Sequence, residues 1–253
     1  MRILLLLLVV LLHGNAACPP GSYSLSNMTG AMQCKGYGFP SLLALFPMPL
    51  SAHTCVLWTT TGPHSSKVSC WGSNSYGELG LGHTNPIVDG AGEMGQALES
   101  VLAMSGYTTA TGGASGGQHA CAVLNDTGNL VCWGRNLYGL ATGLVTPPVA
   151  ALQVACGNNF TCVLLSNHTI ACWGQNSQGQ MGIGHTNDVT TGPSQRAWGS
   201  DPSLTQVSVV ACGSAHICAS LSSGVLYCWS FNNLGQLGRN SGESQDRLCC
   251  PPR

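Results

Sequence analysis

Charge is what this sequence has least of. Asp, Glu, Lys and Arg make up 7% of its 253 residues, against about 25% in an ordinary globular domain. Eight basic residues oppose nine acidic ones, for a formal net charge of −1. No basic cluster occurs, which argues against nucleic acid and anionic membranes as partners. Catalysis is poorly served as well. Hydrolysis wants a nucleophile, a base and an orienting acid; Ser and His are plentiful, but the acids fall in no recognisable signature. Asp89, Glu93 and Glu99 lie in a variable insertion and read as solvated loop charges. There is no Gly-rich run ending in Gly-Lys-Ser/Thr and no kinase signature. Past the first residues no stretch reaches about eighteen apolar residues, and residues 41–50 are broken by Pro47 and Pro49. The expectation is no enzyme, no catalytic residues, no cofactor and no membrane insertion of the mature chain.

What is present begins at the N-terminus. Arg2 precedes an apolar run over residues 3–12 and the small-residue stretch His13-Gly14-Asn15-Ala16-Ala17. A basic start, an apolar core and a small-x-small site make a secretory signal peptide, expected over residues 1–16. Ten helical residues rise about 15 Å, half of a bilayer core of about 30 Å, so this run does not span. Lipidation at Cys18 is the minor alternative, opposed by the polar Asn15. All fourteen cysteines follow the signal region, and an even number in an oxidising compartment reads as a disulfide framework. Sequons at Asn27, Asn125, Asn159 and Asn167 offer glycans that would supply the solubility that charge does not. The chain reads as secreted.

An internal repeat dominates the rest. Cys70-Trp71-Gly72-Ser73-Asn74, Cys132-Trp133-Gly134-Arg135-Asn136, Cys172-Trp173-Gly174-Gln175-Asn176 and Cys228-Trp229-Ser230-Phe231-Asn232 align. Each is followed after two residues by Gly77, Gly139, Gly179 or Gly235. The tryptophans stand 62, 40 and 56 residues apart, a period that suits propeller blades or large solenoid units. Upstream lies a second shared element: His53-Thr54-Cys55, His119-Ala120-Cys121, Phe160-Thr161-Cys162 and His216-Ile217-Cys218. Two units also carry Ala-Cys-Gly, at Cys156 and Cys212; Ser115 replaces the cysteine in the second unit and Pro49 stands there in the first.

Between the two elements sit turn residues such as Asn125-Asp126-Thr127-Gly128 and Ser222-Ser223-Gly224, flanked by apolar and β-branched residues. Each unit therefore reads as a β-hairpin. The midpoints of Cys121 and Cys132, of Cys162 and Cys172, and of Cys218 and Cys228 land on these turns, so each pair should face across two strands. Opposed strand positions bring Cα atoms to about 4.5–5.5 Å, within disulfide reach. Cys55 and Cys70 centre on Gly62-Pro63 with a longer loop. The pairs expected are Cys55–Cys70, Cys121–Cys132, Cys162–Cys172 and Cys218–Cys228. Cys18, Cys34, Cys156, Cys212, Cys249 and Cys250 stay unassigned, with Cys18–Cys34 one option. A zinc site is the sharpest chemical alternative, since His119 precedes Cys121 and His216 precedes Cys218. The same position is Phe160 in the third unit, which cannot ligate, and export favours disulfides over thiolates. No metal is expected.

The combined pattern resembles the repeat of the regulator of chromosome condensation family, and its cysteine content is similar to the extracellular branch that includes crinkly-type plant receptor kinase ectodomains. The resemblance covers about residues 51–239. It implies an all-β fold, a β-propeller in which each repeat supplies one four-stranded blade, here partial with about four blades. Gly77, Gly139, Gly179 and Gly235 would hold left-handed turns, and the tryptophans would pack between blades. The repeat cores lie near 51–82, 114–143, 155–184 and 211–240, within a propeller region 51–253 that follows a cysteine-containing segment 17–50. Family propellers usually close with seven blades, and the second unit has Leu140-Ala141-Thr142-Gly143 in place of the Gln-Leu-Gly ending. A truncated gene product, an open arc and closure by oligomerisation all remain open. The expected function is an extracellular binding module, its non-repeating loops (residues 84–117 and 187–206) contacting an unknown protein or glycan. The alternatives are a truncated receptor-kinase ectodomain and an exchange factor for a small nuclear GTPase, which fits the signal peptide and cysteines poorly.

Overall fold

The computed structural model describes residues 41–46, 51–59, 66–87, 98–101, 107, 109–194 and 206–238. The signal region, Asn27, Cys18, Cys34, Cys249 and Cys250 lie outside them, as do parts of both long insertions.

Four antiparallel sheets follow one another along the chain. The first holds β1 (Ser41–Leu45), β2 (His53–Thr59) and β3 (Ser66–Gly72). The second is β4 (Ala110–Ser115), β5 (His119–Leu124), β6 (Leu130–Gly134) and β7 (Gly143–Val145). The third is β8 (Ala151–Cys156), β9 (Phe160–Leu165), β10 (Ile170–Gly174) and β11 (Val189–Ser194). The fourth is β12 (Val207–Cys212), β13 (His216–Leu221) and β14 (Leu226–Ser230). Each is a meander in sequence order, the form of a propeller blade. The first sheet starts at Ser41, ahead of the first repeated motif, because an inner strand without the Ala-Cys-Gly signature still completes it.

In the two middle blades the second strand is covered on both faces, so it reads as a continuous apolar run, whereas β13 of the fourth blade alternates half-buried and buried residues. All six residues of β5, and all six of β9, are buried. In every sheet the pairing of the inner strand with the second slips by one residue at the same place: Leu42/Ala44, Ala110/Gly112, Ala151/Gln153 and Val207/Val209. A repeated bulge of this kind increases local twist.

The four cysteine pairs are cross-strand neighbours joined by disulfides, Cys55–Cys70, Cys121–Cys132, Cys162–Cys172 and Cys218–Cys228. Their Cα atoms are 4.1–4.2 Å apart. Loops of this length contribute about 3 kcal/mol per bridge on the chain-entropy model, which matters for hairpins that are marginal alone.

The hydrophobic core is divided into slabs between blades. Phe46, Leu57, Val68 and Leu79 of the first blade meet Ala120, Leu124, Val131 and Trp133 of the second. Val123, Leu130 and Leu140 meet Val163, Leu165 and Trp173. Phe160, Leu164 and Ile170 meet Ile217, Leu221 and Trp229. The tryptophan after the second cysteine is thus an inter-blade residue in the last three blades, while Trp71 is half-buried.

Gly72, Gly134 and Gly174 end the third strands at φ 107°, 99° and 113°, and a Cβ there would come within 2.5–2.6 Å of the carbonyl oxygens of Ala52, Gln118 and Asn159. Ser230 occupies this place in the fourth blade at φ 84°, its hydroxyl oxygen 2.8 Å from both Gln178 O and Ala215 O, either of which it can donate to. The four Asn-x-x-Gly glycines also hold positive φ, 69–80°.

Candidate ligand-binding rim

The motif asparagine staples the loop that follows each blade's third strand. Asn176 Nδ2 donates to His185 O and Asn187 O, and its Oδ1 accepts from Met181 N at 2.8 Å. Asn74 makes the same set with His83, Asn85 and Leu79. Asn232 Oδ1 accepts from Leu237 N. Four positions after the asparagine, the side chain of Glu78, Gln180 or Gln236 accepts the backbone N–H of Tyr76, Gln178 or Leu234. The second repeat has Leu140 there, and its Asn136 is exposed, with one bond to Ala141 N.

This loop also sets how blades are joined. Trp133 Nε1 donates to Glu78 O at 2.8 Å and Trp229 Nε1 to Gln180 O at 2.9 Å. Trp173, fully buried, should reach the matching carbonyl of the second repeat, but its Nε1 has no partner. That seam carries another device: His119 Nε2 and Thr161 Oγ1 are 2.8 Å apart across it. The residue equivalent to Thr161 is Ala120 at the first seam, where His53 Nε2 is buried unpaired. At the third seam the equivalent pair is Phe160 and Ile217, both fully buried. Burial holds the His119 imidazole down to about 3, with the nearby His53 acting in the same direction, and burial lowers His53 too. Both rings are therefore neutral.

On this end of the blades two non-repeating positions are held side by side by a repeating backbone bond. Ser73 N donates to Ala52 O, Arg135 N to Gln118 O, Gln175 N to Asn159 O, and Phe231 N to Ala215 O, at 2.7–3.2 Å. One member follows the Cys-Trp-Gly triplet; the other precedes the His/Phe-x-Cys element. Side chains pair on this frame: Arg135 Nη1 donates to Gln118 Oε1 at 2.6 Å and Asn159 Nδ2 to Gln175 Oε1 at 3.2 Å. The Arg135 guanidinium lies 4.6 Å from the centre of the Tyr76 ring, a cation–π contact between neighbouring blades. Gly117 N donates to Asn158 O and Asn158 N to Ser214 O, linking the turns of blades two, three and four. Of these positions, Ala52, Ser73, Gln118, Arg135, Asn158 and Asn159 line a polar depression of about 360 Å³ shared by the first three blades.

Sequence reasoning looked for binding residues in the long insertions, which fall partly outside the described residues. It passed over the rim, although the signal was present: the two positions that vary next to an otherwise constant motif. Of the sequons, Asn125 and Asn167 are exposed in hairpin turns, with Asn167 Oδ1 accepting from Thr169 N and Oγ1. Asn159 is half-buried on the rim between the buried Phe160 and the Gln175 amide it bonds. Cys156 and Cys212 are unpaired. Their thiols point at the preceding blade, to Ala114 O at 3.5 Å and Ala155 O at 3.6 Å; burial pushes Cys156 up to about 12 and Cys212 up as well. Among the described residues no group of three His, Cys, Asp or Glu side chains could hold a metal ion.

Family models for the regulator of chromosome condensation (RCC1) repeat match residues 112–140, 152–180 and 207–236, and, in a second form, 168–220. A bovine protein described as a secretion-regulating guanine nucleotide exchange factor is 33% identical over 208 residues, 74% of this chain and 40% of the relative. The Arabidopsis ultraviolet-B receptor UVR8 is 28% identical, over 72% of this chain and 40% of the receptor. The fold is similar to that of human WBSCR16, with a TM-score of 0.61 and 22% identity over 81% of this chain and 51% of that one. The chain spans about 40% of the length of these two curated relatives.

Proposed function

Because this chain belongs to the regulator of chromosome condensation repeat family, we propose that it is a secreted, non-catalytic propeller module that binds an extracellular ligand on the rim formed by the variable pair positions. The observation that carries this reading is the polar depression walled by Gln118, Arg135, Asn158 and Asn159, built from non-repeating side chains on a repeating frame. Function is grafted on such frames at the positions that packing leaves free. Four disulfides support an oxidising destination, in keeping with the signal peptide read from residues 1–16 and the glycan acceptors Asn125 and Asn167.

The test is expression of the full sequence in eukaryotic cells. The protein should be recovered from the medium, disulfide-bonded, and should bind cell-surface or matrix material of the source organism. Binding should fall at least tenfold when Gln118, Arg135 and Gln175 are all replaced by alanine. Retention in the cytosol with free thiols, or a triple variant that binds as well as the parent, overturns the reading.

Nucleotide exchange is the second reading, favoured by the name of the 33% identical bovine relative. The disulfides and the scarcity of charge weigh against it. Accelerated release of guanine nucleotide from a small GTPase by the purified chain would establish it.

A further inference from the structure

Resting on that rim, we propose that the depression takes a carboxylate-bearing saccharide, a uronic-acid unit of an acidic glycan. The hydrogen bonds already made orient what is left. Arg135 Nη1 is used by Gln118 Oε1, so the Gln118 amide is turned with its NH₂ free, and most of the guanidinium donors remain unspent. The contact with the Tyr76 ring at 4.6 Å holds the guanidinium in place. Ser73, at the edge of the same depression, adds a hydroxyl. One wall is thus a donor set with a positive charge, suited to a planar carboxylate.

The opposite wall has the reverse character. Asn159 spends its NH₂ on Gln175 Oε1, which leaves Asn159 Oδ1 as an acceptor for a sugar hydroxyl, with the exposed Asn158 side chain beside it. The carboxylate of Glu78, the acid in the depression, already accepts from Tyr76 N at 2.7 Å and is buried. At about 360 Å³ the depression is at the small end of ligand pockets, about 300–1,000 Å³. Its apolar lining is limited to small residues, Ala52 and Gly117. An acidic peptide shares the carboxylate but needs apolar anchor sites for its other side chains, which this lining does not offer. A polyhydroxylated acid matches donor wall and acceptor wall together.

Calorimetric titration of the full secreted chain with a galacturonic-acid trimer, a galactose trimer and a triglutamate peptide tests this. The acidic saccharide should bind at least tenfold more tightly than either of the others. Arg135→Gln should lose at least tenfold, with the four disulfides and the melting temperature unchanged. Gln118→Glu keeps a partner for Arg135 but sets a negative charge against the ligand, so it should weaken the acid and spare the neutral trimer. Equal binding of the neutral trimer, equal or tighter binding of the peptide, indifference to Arg135→Gln, or no binding of the acid overturns the proposal. If the uronate trimer fails while the triple alanine variant still loses cell-surface binding, the ligand class falls and the binding-module reading stands.

Discussion

The seam between the second and third blades differs from the two that flank it. The first and third seams are latched by an indole N–H on a loop carbonyl, Trp133 to Glu78 and Trp229 to Gln180. At the middle seam Trp173 is equally buried, yet its N–H is orphaned. Leu140 stands where Glu78 and Gln180 bond back to their own loops, and no bond joins Trp173 Nε1 to the second repeat's loop. His119 and Thr161 supply a hydrogen bond instead. Equivalent seams in a repeat protein can therefore be held by different chemistry while the backbone stays the same, because each contact involves only neighbouring repeats.

The largest expected effect is acid sensitivity at the middle seam. Folded His119 titrates near 3, whereas an unfolded histidine titrates near 6.5, so the unfolded chain binds more protons between those values. Stability is complete above about pH 6.5 and falls as the pH drops toward 3, by up to about 1.4 kcal/mol per unit. The double change His119→Phe with Thr161→Ile, which copies the Phe160–Ile217 pair of the third seam, should flatten this dependence. Chemical denaturation at pH 7, 5.5 and 4 measures it. Equal slopes in parent and variant would mean the middle seam is not the acid-labile one; His53, also lowered by burial, is the next group to replace.

The motif asparagines should separate next. Asn176→Ala removes three bonds from a buried side chain and should cost about 2–3 kcal/mol. Asn136→Ala removes one bond from an exposed side chain and should cost under about 1 kcal/mol. Thermal melts of the two variants compare them directly, and equal losses would sink the claim that the second repeat's loop is the relaxed one.

The smallest difference concerns the latches. Trp229→Phe and Trp133→Phe each lose an indole bond to a buried carbonyl, and should cost about 1–3 kcal/mol. Trp173→Phe loses no bond and removes an unsatisfied donor, so its cost should be lower by about 1 kcal/mol. If all three are equal under denaturant titration, the latch contributes nothing beyond packing.

Much of the scaffold was legible in the chain. Hairpin centres lie at the cysteine midpoints because antiparallel register is symmetric about its turn. The four disulfides were readable for that reason. The left-handed Asn-x-x-Gly turns were readable because φ > 0 selects glycine. The inner strand Ser41–Leu45 was not, since it carries none of the repeated residues. Neither was the rim as a surface: its positions show in the sequence only as those that vary beside a constant motif, and the bond from Arg135 N to Gln118 O, 17 positions apart, is what makes neighbours of them.

By itself, then, the sequence determined the units: hairpins closed by cysteine pairs, asparagine-stapled loops, and a tryptophan in each for a neighbour to cover. These follow from interactions that begin and end within one repeat, where spacing along the chain is also spacing in space. Tertiary structure decided what each unit meets. It paired Trp229 with a carbonyl and left Trp173 without one, set His119 against Thr161, and gathered Gln118, Arg135, Asn158 and Asn159 around one depression. Those contacts join different repeats, and their partners are chosen by blade packing rather than by distance along the chain.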